Sequence, residues 1–393
     1  LRPYNSDYMY QLVIAHALLN NKTAAYDIML KMQQQGLSYD FTKTEDTTNI
    51  RGTQVFDYLN DLMVLAGDPV GVSEVAFALP DNVIMPEAIA WDESREKFLV
   101  GTQSDGRILA VGMDGEVTEL IKADNENGLW AVMGLLVDDA NNRLWVTSAA
   151  IPAFSGYGPA DKGRSALFEF NLKSLELLDR HPVPVDGQAH ILGNMVQTPA
   201  GDIFIVDRNL PLVYRKLASE NKLKAVMGLR KMVSMRGIAM NDDGSLLYIA
   251  DREMGIAVIE VKSGRTIPLG AQQTLNLGGI DGLYFKDNSL VMVQNGIKPQ
   301  RVMLLQLDPG GTKVTGIVPM AVARPGFNYP SFGALLGEDL YFFGNSHLAG
   351  SPKPYPPVNV LRSPLNSGQE LVQPDMRRFL EKQAQSQKQK EQE

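Results

Sequence analysis

Pro86-Glu87-Ala88-Ile89-Ala90-Trp91-Asp92, leading to Lys97-Phe98-Leu99-Val100, is the first of six copies of one phrase. A turn residue opens a short apolar strand, an acidic or Asn/Gly turn follows, and a second apolar strand answers it. The next copies run from Met133-Gly134-Leu135-Leu136-Val137-Asp138 to Arg143-Leu144-Trp145-Val146, and from Asn194-Met195-Val196-Gln197 to Asp202-Ile203-Phe204-Ile205-Val206-Asp207. Then come Arg236-Gly237-Ile238-Ala239-Met240 with Leu246-Leu247-Tyr248-Ile249-Ala250-Asp251, and Asp281-Gly282-Leu283-Tyr284-Phe285 with Leu290-Val291-Met292-Val293. Phe332-Gly333-Ala334-Leu335-Leu336 with Asp339-Leu340-Tyr341-Phe342-Phe343 is the last. Corresponding positions 87, 133, 194, 236, 281 and 332 lie 46, 61, 42, 45 and 51 residues apart. Paired short strands at a period in the forties predict the blades of a six-bladed β-propeller.

Outside these copies the chain changes period. Within the first 70 residues, Leu12, Ala15, Leu18 and Leu19, then Ala25, Ile28, Met29 and Met32, are spaced for two amphipathic helices split at Asn20-Asn21-Lys22. Gly36 ends the second. A third helix is expected from about Gly52 to Ala66, carrying Val55, Leu59, Met63 and Leu65. The pair looks like a degenerate tetratricopeptide hairpin, and such helices need a neighbour to cover their apolar face. Three regions follow: a helical cap over 1–70, the propeller over 71–364, and a polar tail over 365–393. The tail is rich in Lys, Gln and Glu and is expected to be a frayed helix or disordered. Ser73 to Leu79 is expected to pair with Val358 to Arg362 and complete the last blade, because a ring closed in this way leaves no exposed edge.

Composition narrows the function classes. A net charge of −8 and no basic cluster interleaved with aromatics make nucleic acid a poor partner. No apolar run approaches the roughly 20 residues that a membrane helix needs. The absence of cysteine removes disulfides, thiolate zinc sites and a cysteine nucleophile. The chain starts at Leu1, and the expected setting is periplasmic or secreted. No Gly-X-Ser-X-Gly elbow is present, and Gly278-Gly279 and Gly310-Gly311 lack the strand-to-helix context of a phosphate loop. The acidic pairs Asp138-Asp139 and Asp242-Asp243 read as ordinary turn formers.

In a propeller the residues opening the innermost strands ring one end of the central channel. Glu87, Met133, Asn194, Arg236, Asp281 and Phe332 should therefore meet there, with a rim of loops starting near Thr102, Ser148, Asp207, Asp251, Asn295 and Asn345. Two rim loops are long and rich in Gly, Pro and aromatics: 149–164, with Tyr157, and 346–357, with His347 and Tyr355. His190 is a further candidate ligand contact, whereas His16 and His181 are assigned to helix packing and a loop.

Pro-Glu-X-Ile-X-Trp-Asp at 86–92, the Asn opening a middle blade and Ile280-Asp281-Gly282-Leu283 together resemble the senescence-marker/gluconolactonase/regucalcin-like family, over about residues 74 to 364. The resemblance implies a divalent cation, calcium or zinc, at the channel mouth, and a lactone or ester hydrolase. By position it assigns Glu87, Asn194 and Asp281 to the metal, with Asn194 also meeting substrate. Arg236 departs from the pattern by standing where the family has a metal-binding Asn. A guanidinium offers donors and no lone pair, so Arg236 is expected to replace the ion and to pair with Glu87 and Asp281 across the channel. Otherwise it swings aside for calcium, or itself polarises a carbonyl with Asp281 or Glu87 as base. The alternatives to a hydrolase are a non-catalytic pocket for an anionic or sugar-like small molecule, and a protein-interaction scaffold that uses the helical cap.

Overall fold

The structure is a computed structural model that describes residues 2–271, 274–347 and 353–368. Six antiparallel sheets follow one another along the chain, and sequential strands are neighbours within each. The first strands of the blades are Pro86–Asp92, Ala131–Asp138, Leu192–Gln197, Met235–Met240, Ile280–Lys286 and Gly333–Leu336. Each touches the first strand of the next blade, so together they surround the axis. They line a cavity of about 400 Å³. The expected six-bladed, mainly β architecture is the one observed.

Two segments between the helices and the first blade join sheets distant in sequence. Glu74–Ala78 pairs antiparallel with Asn359–Pro364 as the outer strand of blade 6, joining the two ends of the propeller. Val70–Gly71 pairs with Val322 and Ala321 and adds a fifth strand to blade 5. Gly71 has φ +74, and a Cβ there would stand 1.9 Å from the Met320 carbonyl oxygen, so only glycine permits this approach. Beyond residue 368 the expected polar tail lies outside the described residues.

Three helices form the N-terminal unit: α1, Ser6–Leu18; α2, Lys22–Gln34; and α3, Gln54–Leu65. Each begins at a side chain that accepts a backbone N–H, Asn5 from Tyr8, Asn21 from Ala24 and Thr53 from Phe56. Met29 and Met32 of α2, with Leu59 and Met63 of α3, are buried as the spacing predicts, whereas Val55 and Leu65 of the expected α3 face are exposed. The expected face of α1 is corrected. Leu12, Ala15, Leu18 and Leu19 face outward, while Met9, Val13, Ile14 and Ala17 are buried. Apolar residues occur all around this helix, so its period left the face open and packing on α2 chose it. Ile297 of blade 5 joins the same cluster. No described helix is long and apolar enough to cross a membrane.

Candidate functional site

In five of the six blades the first strand slips register near its start. The shifts fall between Pro86 and Ala88, Val132 and Gly134, Leu192 and Met195, Met235 and Ile238, and Ile280 and Gly282. Glu87, Met133, Asn194, Arg236 and Asp281 are skipped, Asn194 and Arg236 together with the adjoining Gly193 and Gly237, and have no cross-strand partner. A bulge re-aims a side chain that the ladder would otherwise hold beside the sheet. Small neighbours allow it: a Cβ on Gly134 would meet the Gly193 carbonyl oxygen at 2.7 Å, and one on Gly237 the Leu283 Cβ at 2.6 Å.

Glu87 and Asp281 come together as expected, but the side chains that hold them are not the expected one. Glu87 is paired with Arg208, and Asp281 with Arg252. Arg252 also donates to Asn295 Oδ1 at 2.8 Å, and Asn295 Nδ2 donates to Asp281 Oδ2 at 2.6 Å and to the Pro330 carbonyl at 2.8 Å. The cross-channel bridge expected of Arg236 is therefore corrected. Arg236 feels both carboxylates electrostatically but makes no hydrogen bond or ion pair among the described residues. Its pKa is lowered to about 10, first by repulsion from Arg208 and then by burial, so it stays charged at neutral pH. Burial pushes the Glu87 carboxyl up, against the opposing pull of Arg208 and Arg236.

Arg208 and Arg252 were missed in the sequence, although each follows an aspartate at the end of a second strand, in Asp207-Arg208 and Asp251-Arg252. That repeated dipeptide was the available signal. Glycines make room for both side chains. A Cβ on Gly193 would lie 2.6 Å from Arg208 Cγ and Cδ, and one on Gly296 would lie 2.6 Å from Arg252 Nη2. Arg208 also lies over the Phe332 ring, 5.2 Å from its centroid, and its buried Nε has no partner among the described residues.

Of the other expected residues, Asn194 lines the cavity with Glu87 and Phe332. His190 is buried, with Nδ1 2.8 Å from Asp207 and Nε2 3.1 Å from Asp186, so both ring nitrogens are occupied. His347 is equally committed. Its Nδ1 accepts from Met85 N at 3.1 Å, Nε2 donates to the Pro356 carbonyl at 2.6 Å, and the ring stacks on Tyr355. Tyr157 packs with Phe154 against the core shared by blades 1 and 2. His181 lies in the outer strand Leu177–Pro182 rather than in a loop, beside Trp145. Among the described residues no group of three His, Cys, Asp or Glu side chains is placed to hold a metal ion.

No known protein family and no curated protein matches the chain by sequence. Solved structures do match its fold. A gluconolactonase from Xanthomonas campestris aligns at 16% identity and a TM-score of 0.50, covering 73% of this chain and 88% of that one. Regucalcin from Agrobacterium tumefaciens, described as a calcium-binding protein, aligns at 12% identity and a TM-score of 0.52, covering 75% and 95%. The PQQ-bound aldose sugar dehydrogenase of Streptomyces coelicolor aligns at 13% identity and a TM-score of 0.50, covering 76% and 98%. A fold shared by a lactonase, a calcium-binding protein and a quinoprotein does not choose among their activities. What this chain shares with its gluconolactonase- and regucalcin-type structural neighbours is the six-bladed propeller.

Proposed function

We propose that the chain binds a small organic anion, a carboxylate of sugar-acid size, at the mouth of its central channel. The observation that carries this reading is Arg236: a part-buried guanidinium without a hydrogen-bond partner among the described residues, within electrostatic reach of Glu87, which itself lines the channel cavity of about 400 Å³. Arg208, Arg236 and Arg252 set three positive charges against the two of Glu87 and Asp281, leaving one positive charge for an anion to neutralise. A guanidinium presents two parallel donors that match a carboxylate.

The donor set suits a divalent cation poorly. A cation on Glu87, Asn194 and Asp281 would have to draw both carboxylates away from Arg208 and Arg252. It would also sit beside guanidinium groups, at roughly 4 kcal/mol per pair of unit charges about 4 Å apart and an effective dielectric near 20. We read the mouth as working without a metal.

Calorimetric titration with gluconate and with sulfate tests the proposal. Both are expected to bind, and Arg236→Gln should weaken binding ten- to a hundredfold, the loss of about 1.4 to 3 kcal/mol typical of a charged hydrogen bond. Unaltered affinity in Arg236→Gln overturns it.

A lactone hydrolase is the second reading, favoured by the raised pKa of Glu87, since an acid–base group works best when its pKa lies near the working pH. Glu87 would take a proton from water as the oxygen attacks the lactone carbonyl, Arg236 would stabilise the resulting oxyanion, and the proton on Glu87 would pass to the ring oxygen as the ring C–O bond breaks. Chelator-resistant gluconolactone hydrolysis that disappears in Glu87→Gln would favour this reading over simple binding.

A further inference from the structure

Arg252, Asp281 and Asn295 of the mouth are carried by three neighbouring segments, residues 251–255, 276–281 and 294–301, and all three are fastened to the helical unit. Arg252 reaches Asp281 and Asn295 from the first loop, and its own carbonyl accepts the Gly279 N–H at 2.7 Å in the second. Tyr4, just ahead of α1, lies against this junction. Its N–H donates to the Glu253 carbonyl at 3.3 Å. Its ring covers Gly255, and its backbone covers Gly278 so closely that a Cβ there would stand 2.5 Å from the Tyr4 carbonyl oxygen.

A buried polar strut continues from this contact. Asn276, fully buried, donates to Gln35 Oε1 at 2.9 Å and accepts the Gly278 N–H at 2.7 Å. Arg301, 5% exposed, donates to the Gln35 carbonyl, to the Asn276 carbonyl and to Gln294 Oε1. Gln294 in turn donates to the carbonyls of Asn276 and Gly278 and directly precedes Asn295 of the mouth. Buried polar groups joined in this way have few alternative arrangements, because breaking any one bond strands its partner in a dry site. The helical unit thus supplies one end of a rigid connection whose other end is Arg252.

We propose that Gln35 and Asn276 are positioning residues that hold the Arg252 guanidinium on Asp281, making the N-terminal helices a working part of the mouth. The proposal rests on the anion-binding reading for its effect on affinity, but not for its effect on Arg252. Arg252 displaced from Asp281 would leave the carboxylate without its ion-pair partner, facing an incoming anion.

The test uses the full chain labelled with 15N-arginine, with the Nε–Hε signals of Arg252 and Arg208 assigned by their loss in Arg252→Lys and Arg208→Lys. Gln35→Ala removes the acceptor for Asn276 and is expected to shift or broaden the Arg252 signal while that of Arg208 stays in place. Sulfate affinity should fall three- to tenfold in Gln35→Ala, with no further fall in the Arg252→Lys background. Gln35→Glu, which keeps the acceptor, should restore both readouts. Should Gln35→Ala fail to fold, Gln35→Met takes its place, because it removes the acceptor for Asn276 while keeping the side chain's length and leaving little cavity. A folded variant with an unmoved Arg252 signal overturns the proposal. A moved signal in a protein that binds no sulfate upholds the positioning and overturns the anion reading instead.

Discussion

Asp207-Arg208 of blade 3 and Asp251-Arg252 of blade 4 are the same dipeptide at the same place in consecutive blades, yet they are held differently. Both aspartates are fully buried and fold the following turn onto one carboxylate oxygen, Asp207 through Asn209 N and Leu210 N, Asp251 through Glu253 N and Met254 N. The other oxygen separates them. Asp251 accepts two more backbone N–H groups with it, from Val233 and Ser234, both at 2.6 Å. Asp207 meets His190 there at 2.8 Å, and Ile191 N joins the first oxygen. Behind the blade 4 turn stands the helical unit; behind the blade 3 turn stands a histidine whose second nitrogen meets the half-exposed Asp186. One turn is held by backbone donors alone and a docked domain, the other by backbone donors together with a histidine side chain.

This contrast is broken most sharply by replacing each aspartate with asparagine. In Asp251→Asn either orientation of the amide turns NH₂ toward two backbone donors, so unfolding free energy should fall by roughly 3 kcal/mol, the cost of stranding buried donors. In Asp207→Asn the NH₂ can face His190 Nδ1 and the oxygen can keep its backbone N–H groups, for a loss of about 1 kcal/mol. Denaturant unfolding of the two variants reads the difference directly, and equal losses would show that the two turns are held alike.

Glycine substitutions sharpen the same comparison with a smaller effect. A Cβ on Gly296 meets backbone, Gly279 Cα at 2.7 Å, as well as Arg252, whereas a Cβ on Gly193 crowds the flexible Arg208 stem and meets backbone, Val206 O, only at an ordinary 3.6 Å. Gly296→Ala should therefore cost about 1 to 3 kcal/mol of stability, the usual range for overpacking, while Gly193→Ala should leave the denaturation midpoint nearly unchanged. Releasing Arg208 from Glu87 should appear instead as altered sulfate affinity.

The smallest effect is one of pH. Burial raises the Glu87 pKa, so the carboxyl binds a proton above the usual carboxylate range. As pH falls through that raised value the mouth loses a negative charge, and sulfate, whose own charge is constant there, should bind a few-fold more tightly. Glu87 protonation also favours the folded state, a contribution present at low pH and lost as pH rises. Glu87→Gln should flatten the affinity profile; a profile unchanged by that substitution would remove Glu87 from the site.

The six repeated phrases made the propeller legible, because paired strands at a fixed period admit few folds. They also located Glu87, Asn194, Arg236 and Asp281, since all four stand at the same place in the repeat. The two arginines that hold the carboxylates are less legible, because an Asp-Arg pair ends the second strand in only two of the six blades, at 207–208 and 251–252. His190 and His347 looked available because a sequence lists side chains without their partners, and burial beside Asp207 and Pro356 is a matter of three dimensions. The face of α1 was misread for a related reason: apolar residues on every side leave the choice to whatever the helix packs against.

Sequence alone determined the blade number, the joining of the last blade by an N-terminal strand and the placing of Arg236 at the same point of the repeat as Glu87 and Asp281, because each is a matter of local period. Only the tertiary structure decided which cation meets which anion. Glu87 and Arg208 are 121 positions apart, and Asp281 and Arg252 are 29 apart in different blades. No periodicity links such pairs; the close approach of blades around a common axis, permitted by Gly193 and Gly296, brings them into contact.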